Sequence, residues 1–277
     1  LYVVATPIGN LEDITARALR VLGSVDLIAA EDTRHSRKLL NHFGIRTPLI
    51  SYHEHNERQR QAELVQRLLT GQRLALISDA GTPAIADPGY RLVCACHAAG
   101  VPVVPVPGPS ALVTALCAAG VPTDRFVFEG YLPARAAARS ACLQGLRDET
   151  RTVVLYETPH RLLAALAAIA ATWGEARPLV VARELTKLHE ELFRGTVAEA
   201  LVRFGATAVR GELVVILPPV PKAPPATGME ETLRRLLVNE GMARSAAVRE
   251  VAKSFGVARS EVYRASLEIG GGVEEDQ

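Results

Sequence analysis

The chain has 277 residues, of which 48% are hydrophobic and 22% charged, with a formal net charge of +1. That is length for roughly one to three domains with buried cores, and it excludes disorder, a collagen-like repeat or a polycationic tail as a description of the whole molecule. No apolar run reaches the ~18–20 residues of a membrane helix, and the opening LYVVATPIGN carries neither a basic n-region nor a cleavage site, so a cytoplasmic protein with no membrane partner is expected.

Short β-branched runs alternate with amphipathic stretches from the start. Leu1 to Thr6, Asp26 to Ala30, Pro48 to Tyr52, Leu74 to Ser78 and Val101 to Val106 read as strands. Helical periodicity separates them at Ile14 to Leu22, Arg34 to Phe43, Glu57 to Leu69 and Tyr90 to Ala99. Such alternation predicts an α/β fold with a mostly parallel sheet, here a first domain over 1–120. After Gly120-Val121-Pro122 the pattern restarts, with strands at Arg125 to Gly130, Thr152 to Tyr156, Leu179 to Arg183 and Glu212 to Leu217, a second α/β domain over 121–218. Leu192 to Arg203 has room for an antiparallel strand and a short helix, which predicts a mixed second sheet. Leu162, Leu163, Leu166, Ile169 and Trp173 fit the apolar face of one helix packed on that sheet. In Pro218 to Gly228 five of eleven residues are proline, so a stiff linker is expected. Residues 229–270 then read as a small helical module, in which Ala246 to Phe255 and Ser260 to Leu267 flank a tight turn, with Ser260 as N-cap. The glycines and acidic residues that follow are expected to be disordered.

Cys94, Cys96, Cys117 and Cys142 form no C-x-x-C pair and lie near no histidine at zinc-ligand spacing, so reduced core cysteines are expected. Only four of the 31 basic residues are lysine, and the near-neutral balance argues against indiscriminate nucleic-acid binding. Arginine's planar fork still suits phosphate, so local clusters matter more than the total.

In an open parallel sheet, ligands bind beyond the carboxyl ends of the strands. The loops there are Thr6 to Asn10, Glu31 to Thr33, Tyr52 to Asn56, Ser78 to Pro83 and Pro107 to Ser110, each with Gly, Pro or a polar cluster. Opposite-edge connections such as Leu22 to Val25 are short and plain, which points to one functional edge. Gly81 and Gly108 leave room for backbone amides to approach a ligand, and the prolines stiffen the loops. Neither G-x-G-x-x-G nor G-x-x-x-x-G-K-[ST] occurs, which removes the common dinucleotide and P-loop readings. Asp79, at a strand end, suits a cationic or hydroxyl-bearing ligand.

The motifs TPIGNLEDIT, AAEDTRHSRKLL, SYHEHNE, ISDAGTPAIADPGY, VPGPSA, LYETPHRL and ARELTKLHEE resemble the tetrapyrrole-methylase-like superfamily of S-adenosylmethionine methyltransferases, and within it the ribosomal-RNA ribose 2'-O-methyltransferase branch. The resemblance runs from Leu1 to about Leu217, and the tail resembles that branch's C-terminal extension. It implies two α/β domains with S-adenosylmethionine in the cleft between them, and a homodimer. Carried over residue by residue, the donor should touch Pro7, Asp79, Ala80, Gly81, Thr82, Ile85, Ser110 and Ala111, with Tyr156 and Ala182 completing the second side. The implied substrate is a cytidine of the 16S rRNA decoding region, presented by the small ribosomal subunit.

Methyl transfer from a sulfonium needs alignment, worth ~7–11 kcal/mol, and either a carboxylate that removes the ribose proton or a nearby cation that favours the alkoxide. Glu184 and Lys187 in ARELTK, and Glu31, are the candidates; the alternative is a structural ion pair for the first two and a cap neighbour for Glu31. Arg34, His35, Arg37 and Lys38 open a helix beside the expected cleft, which suits RNA phosphates or is simply a solvated face. His53 and His55 make an H-x-H without a third ligand, so no metal is expected, and substrate positioning or plain loop polarity remains. In the tail, Arg259, Tyr263 and Arg264 face nucleic acid if the module is a helix-turn-helix; with six acids against seven bases between Glu230 and Ile269 it is equally a packed cap. Rival functions are a tetrapyrrole methyltransferase and a non-catalytic nucleic-acid binder that senses a ligand.

Overall fold

The computed structural model describes residues 1–206, 208–219 and 228–270. Its contacts divide the chain into two compact units, Leu1–Pro219 and Val220–Gln277.

The first unit opens with a βα alternation: β1 (Tyr2–Val4), α1 (Ala16–Ser24), β2 (Leu27–Ala30), α2 (Thr33–His42), β3 (Leu49–Ser51), α3 (Glu57–Leu69), β4 (Leu74–Ile77), α4 (Tyr90–Ala98), β5 (Val104–Val106) and α5 (Ala111–Ala119). Local chemistry sets the helix starts. Thr15 accepts the Ala18 N–H at 3.0 Å, and Asp32 accepts the Arg34 N–H at 2.8 Å. All five strands are parallel, in the order β3-β2-β4-β1-β5. One face buries Leu22, Ile28 and Leu40 with α1 and α2, and the other buries Leu64, Leu92 and Cys96 with α3 and α4. Apolar, doubly covered strands such as Leu74–Ile77 follow from that sandwich.

The chain continues through β6 (Phe126–Tyr131), α6 (Ala136–Gly145), β7 (Thr152–Glu157), α7 (Pro159–Trp173), β8 (Pro178–Arg183), β9 (Glu191–Thr196), α8 (Val197–Gly205) and β10 (Leu213–Leu217). The second sheet has the order β6-β7-β10-β8-β9 and is mixed, with β6 and β7 parallel and the other pairs antiparallel. In β10 the two-residue period splits the side chains cleanly. Leu213, Val215 and Leu217 join Leu162, Leu166 and Ile169 on one face, while Val214 and Ile216 meet Ala115, Leu116 and Ala119 of α5 on the other. Helix α5 of the first half therefore packs directly on the second sheet. At the reverse end α8 starts with a capping box, Thr196 with Glu199.

The second unit holds α9 (Met229–Arg234), a π-helical turn over Arg235–Asn239, α10 (Arg244–Phe255) and α11 (Arg259–Gly270) around Leu233, Ala247, Val251 and Val262. Gly256 ends α10 in the left-handed conformation, φ 66°.

Several expectations change. Ser260 is not an N-cap, because α11 already begins at Arg259. Cys94 and Cys117 are exposed, leaving Cys96 as the buried cysteine and Cys142 half-buried. Leu163 is 41% exposed while Leu162, Leu166 and Ile169 are buried, since position 163 falls on the solvent side of α7. Most of the proline linker, 220–227, and the tail over 271–277 lie outside the described residues. No helix among the described residues is long and apolar enough to cross a membrane.

Candidate functional site

The strand order β2-β4-β1-β5 aligns four carboxyl ends side by side, and their loops are stitched together. Thr6 and Gly81 exchange backbone hydrogen bonds of 2.9 and 3.0 Å, and the Thr82 hydroxyl donates to the Pro109 carbonyl at 3.0 Å. Gly81 sits at φ +82°, and a Cβ there would meet Ile8 Cγ2 at 3.3 Å, so this crossing of loops favours glycine. From the other sheet, paired residues Tyr131, Tyr156, Val214 and Ala182 lie in one row across β6, β7, β10 and β8. A bulge at Phe128/Gly130 in β6 brings Tyr131 into that row, 5.7 Å from Tyr156. The Tyr156 hydroxyl accepts the Leu112 N–H in the first turn of α5 at 3.0 Å, tying the two sheets together.

Between them lies a cavity of about 240 Å³. Asp79, Ala80, Gly81, Thr82, Ile85, Ser110, Ala111, Tyr156 and Ala182 all line it, as does Glu31; Pro7 instead lines the adjoining cavity. Sequence reasoning missed Asp87, Tyr131, Leu185 and Glu212. Asp87 and Leu185 stand inside motifs already singled out, ISDAGTPAIADPGY and ARELTKLHEE, but nothing local marks which way they face.

The cavity is acidic. Glu31, Asp79, Asp87 and Glu212 line it, and no basic residue does among the described lining, although Lys187 reaches Glu212 from outside it at 3.1 Å. Burial, then the Glu31 carboxylate, pushes the Asp87 carboxyl up to about 7 despite a hydrogen bond with Ser78. Glu31 is likewise raised, by burial first and Asp79 second. Asp79 is fixed in place by the Asp32 N–H, which it accepts at 2.9 Å. The loop carrying Asp87 is strained, with Ala84 and Ala86 at φ 68° and 63°. A cation held here would relieve the crowding of like charges.

A second cavity of about 400 Å³ shares Ile8, Asp79, Ala80 and Glu212 with the first. Its remaining wall carries His35, Lys38, His42 and Lys187. Lys187 Nζ donates to Glu184 Oε1 at 2.7 Å and to Glu212 Oε2 at 3.1 Å. Burial works against the Lys187 charge, but the two carboxylates outweigh it and hold its pKa above the ordinary lysine value. Glu184 lines neither cavity: its Oε1 also accepts the Glu212 N–H at 3.0 Å, so it anchors Lys187. The Lys187 stem lies against Gly9, where a Cβ would come within 2.3 Å of its Cγ.

The other expected residues are more scattered. Arg34 is pinned to Asp32 through two nitrogens, at 3.2 and 3.0 Å, which holds the Asp32 carboxyl down at about 2. Arg37 is exposed on α2. His53 is held by Asn56, its N–H donating to Asn56 Oδ1 at 2.9 Å, while His55 is exposed and its ring sits 6.0 Å from that of His53. Arg259, Tyr263 and Arg264 are exposed on α11 of the second unit. Among the described residues no three His, Cys, Asp or Glu side chains converge as metal ligands.

Residues 1–201 match the family model of tetrapyrrole (corrin/porphyrin) methylases. Over 272 residues the chain is 49% identical to a Synechocystis protein named ribosomal RNA small subunit methyltransferase I, covering 97% of this chain and 98% of that one. It is 48% identical to the Escherichia coli O157:H7 protein of the same name, over 97% and 94% of the two chains. Among solved structures, diphthine synthase superposes with TM-score 0.64 at 14% identity, over 80% of this chain and 90% of that one. The Thermus thermophilus uroporphyrin-III C-methyltransferase complexed with S-adenosyl homocysteine does so with TM-score 0.54 at 19% identity, over 78% and 96%. At those identities the two structures support the fold alone.

Proposed function

The chain belongs to the tetrapyrrole methylase family, and we propose that it is an S-adenosylmethionine-dependent methyltransferase that 2'-O-methylates a cytidine ribose in the decoding region of 16S rRNA. The acidic cavity carries this reading. S-adenosylmethionine bears a sulfonium and an ammonium, and the carboxyl groups of Glu31, Asp79 and Asp87, none of them paired with a base among the described residues, suit both. Ile8, Ala182, Leu185 and Val214 offer its apolar parts a dry wall, and the loop over Asp79 to Thr82 offers backbone groups. When bound, the donor supplies an electrophilic methyl group. The chain's own residues align the ribose hydroxyl, exclude water and accept its proton. Of the three side chains expected in that chemistry, Glu31 faces the cavity and its raised proton affinity suits it as acceptor, Lys187 lines the neighbouring space, and Glu184 positions Lys187.

The RNA, rather than a tetrapyrrole, is favoured by relatives of nearly equal length whose names specify small-subunit rRNA. Contacts to it are assigned to Arg34, His35, Arg37 and Lys38 of α2, to His53 and His55, and to Arg259 and Arg264 of α11. The enzyme works in the cytoplasm as a homodimer on the small ribosomal subunit.

Incubation with methyl-labelled donor and undermethylated small subunits tests the reading. The label should appear in 16S rRNA at a linkage resistant to alkali, since a 2'-O-methyl group blocks the attacking hydroxyl. Label entering a porphyrinoid but never RNA would overturn it.

A further inference from the structure

Resting on that reading, in which the acidic cavity takes the donor, we propose that the second cavity is an acceptor subsite that seats the backbone phosphate next to the reacting ribose, with His35, Lys38 and His42 as its ligands. The two cavities share Ile8, Asp79, Ala80 and Glu212, so a group reaching from one to the other crosses a single wall. Their linings differ in charge. The first has four carboxylates and no base, whereas the second adds two lysines and two histidines to the shared Asp79 and Glu212.

Of those two acids Glu212 is ion-paired with Lys187 at 3.1 Å, and Asp79 is oriented through one oxygen by the Asp32 N–H at 2.9 Å. Lys38 is then the cation of this wall without a carboxylate partner among the described residues, and the His35 and His42 rings beside it can donate hydrogen bonds to an anion. His35, Lys38 and His42 stand at i, i+3 and i+7 on α2, the spacing of one helix face, and all three are exposed. Among the described residues Lys38 has no ion-pair partner, unlike Arg34, which Asp32 occupies.

The residue usage points the same way. The chain has 31 basic residues but only four lysines, and Lys38 and Lys187 both line this cavity. Lysine presents a compact charge with rotatable donors, which suits a phosphate whose orientation is set by the ribose it is attached to. A cavity of about 400 Å³ has room for a phosphodiester together with its sugar.

The test is the double variant Lys38→Ala/His42→Ala, both substitutions being exposed, with unchanged thermal melting as the check on folding. Methyl transfer to small subunits should show KM raised at least tenfold, while calorimetric affinity for S-adenosylmethionine stays within twofold of wild type. Binding of a single-stranded oligoribonucleotide, followed by anisotropy across a salt series, should lose about 0.7 of the log–log slope for each phosphate contact removed. Unchanged KM and slope would overturn the proposal, and so would a parallel fall in donor affinity, which would make this cavity part of the donor site. Failure of the wild-type chain to methylate RNA would overturn the functional reading alone, because the anisotropy series reads the cavity without turnover.

Discussion

Replacing Asp87 by asparagine removes a carboxyl that the fold holds up at about 7 against an ordinary value of 3.8. The unfolded chain releases that proton near 3.8 and the folded chain near 7, so between these values the folded state binds the extra proton and stability falls as pH rises. Above about 7 the whole cost of holding a carboxylate beside Glu31, Asp79 and Glu212 is present. Roughly three pH units at ~1.36 kcal/mol each amount to ~4 kcal/mol. Partial exposure of the side chain and joint titration with its neighbours reduce this to roughly 2 kcal/mol. Asp87→Asn should therefore melt with the wild type at about pH 4, pull ahead through the window up to about 7, and stay roughly 4–8 °C ahead beyond it. Scanning calorimetry across that range decides, and a constant gap between the two proteins at every pH would refute the reasoning. The same carboxyl should couple donor binding to proton release. A bound cation favours its ionised form, so donor affinity should rise as pH passes through about 7 and then level off. Titrations in two buffers of different ionisation heat count the proton, and uptake in place of release would place the cation elsewhere.

Asp79→Ala should weaken calorimetric donor affinity at least tenfold, about 1.4 kcal/mol, and unchanged affinity would remove Asp79 from the site. Gly9→Ala brings a Cβ within 2.3 Å of Lys187 Cγ and should drive Lys187 from its carboxylates at a cost of roughly 1–2 kcal/mol in urea unfolding. That cost should vanish in a Lys187→Ala background, and simple additivity of the two substitutions would contradict the displacement. Ile169→Ala, at a fully buried position of the second core, should cost roughly 2–5 kcal/mol with the denaturant slope unchanged; a loss below ~1 kcal/mol would mean that α7 does not seal that core.

Local pattern carried much of this fold. Helix α3 runs over Glu57–Leu69, the span its periodicity gives, because charged and apolar residues contrast on every turn. Helix α5 has no such contrast: ALVTALCAA is almost wholly apolar, since one side meets the second sheet while Val113 and Cys117 remain exposed. The sheet orders are equally silent in the sequence, being set by which crossovers pack, and without them the row Tyr131, Tyr156, Val214 and Ala182 cannot be assembled. The loops at strand ends were legible because Gly, Pro and polar residues cluster there. Asp87 and Glu212 were not, because their importance lies in the company of other carboxylates brought from distant segments. Glu184 shows the opposite case, a charge at the right spacing whose partner turns it away from both cavities.

Strand β10 is the last of its unit in sequence, yet it runs between β7 and β8 in the middle of its sheet. During synthesis the first sheet has all its strands once Val106 has emerged, whereas β7 and β8 must wait, each with an unpaired apolar edge, for Leu213–Leu217. A nascent chain stopped short of that point has half a ligand cleft and two adhesive borders. Completion of the cavity thereby waits until Leu217 has been made, and a chain terminated before β10 should aggregate rather than fold into a weakened enzyme.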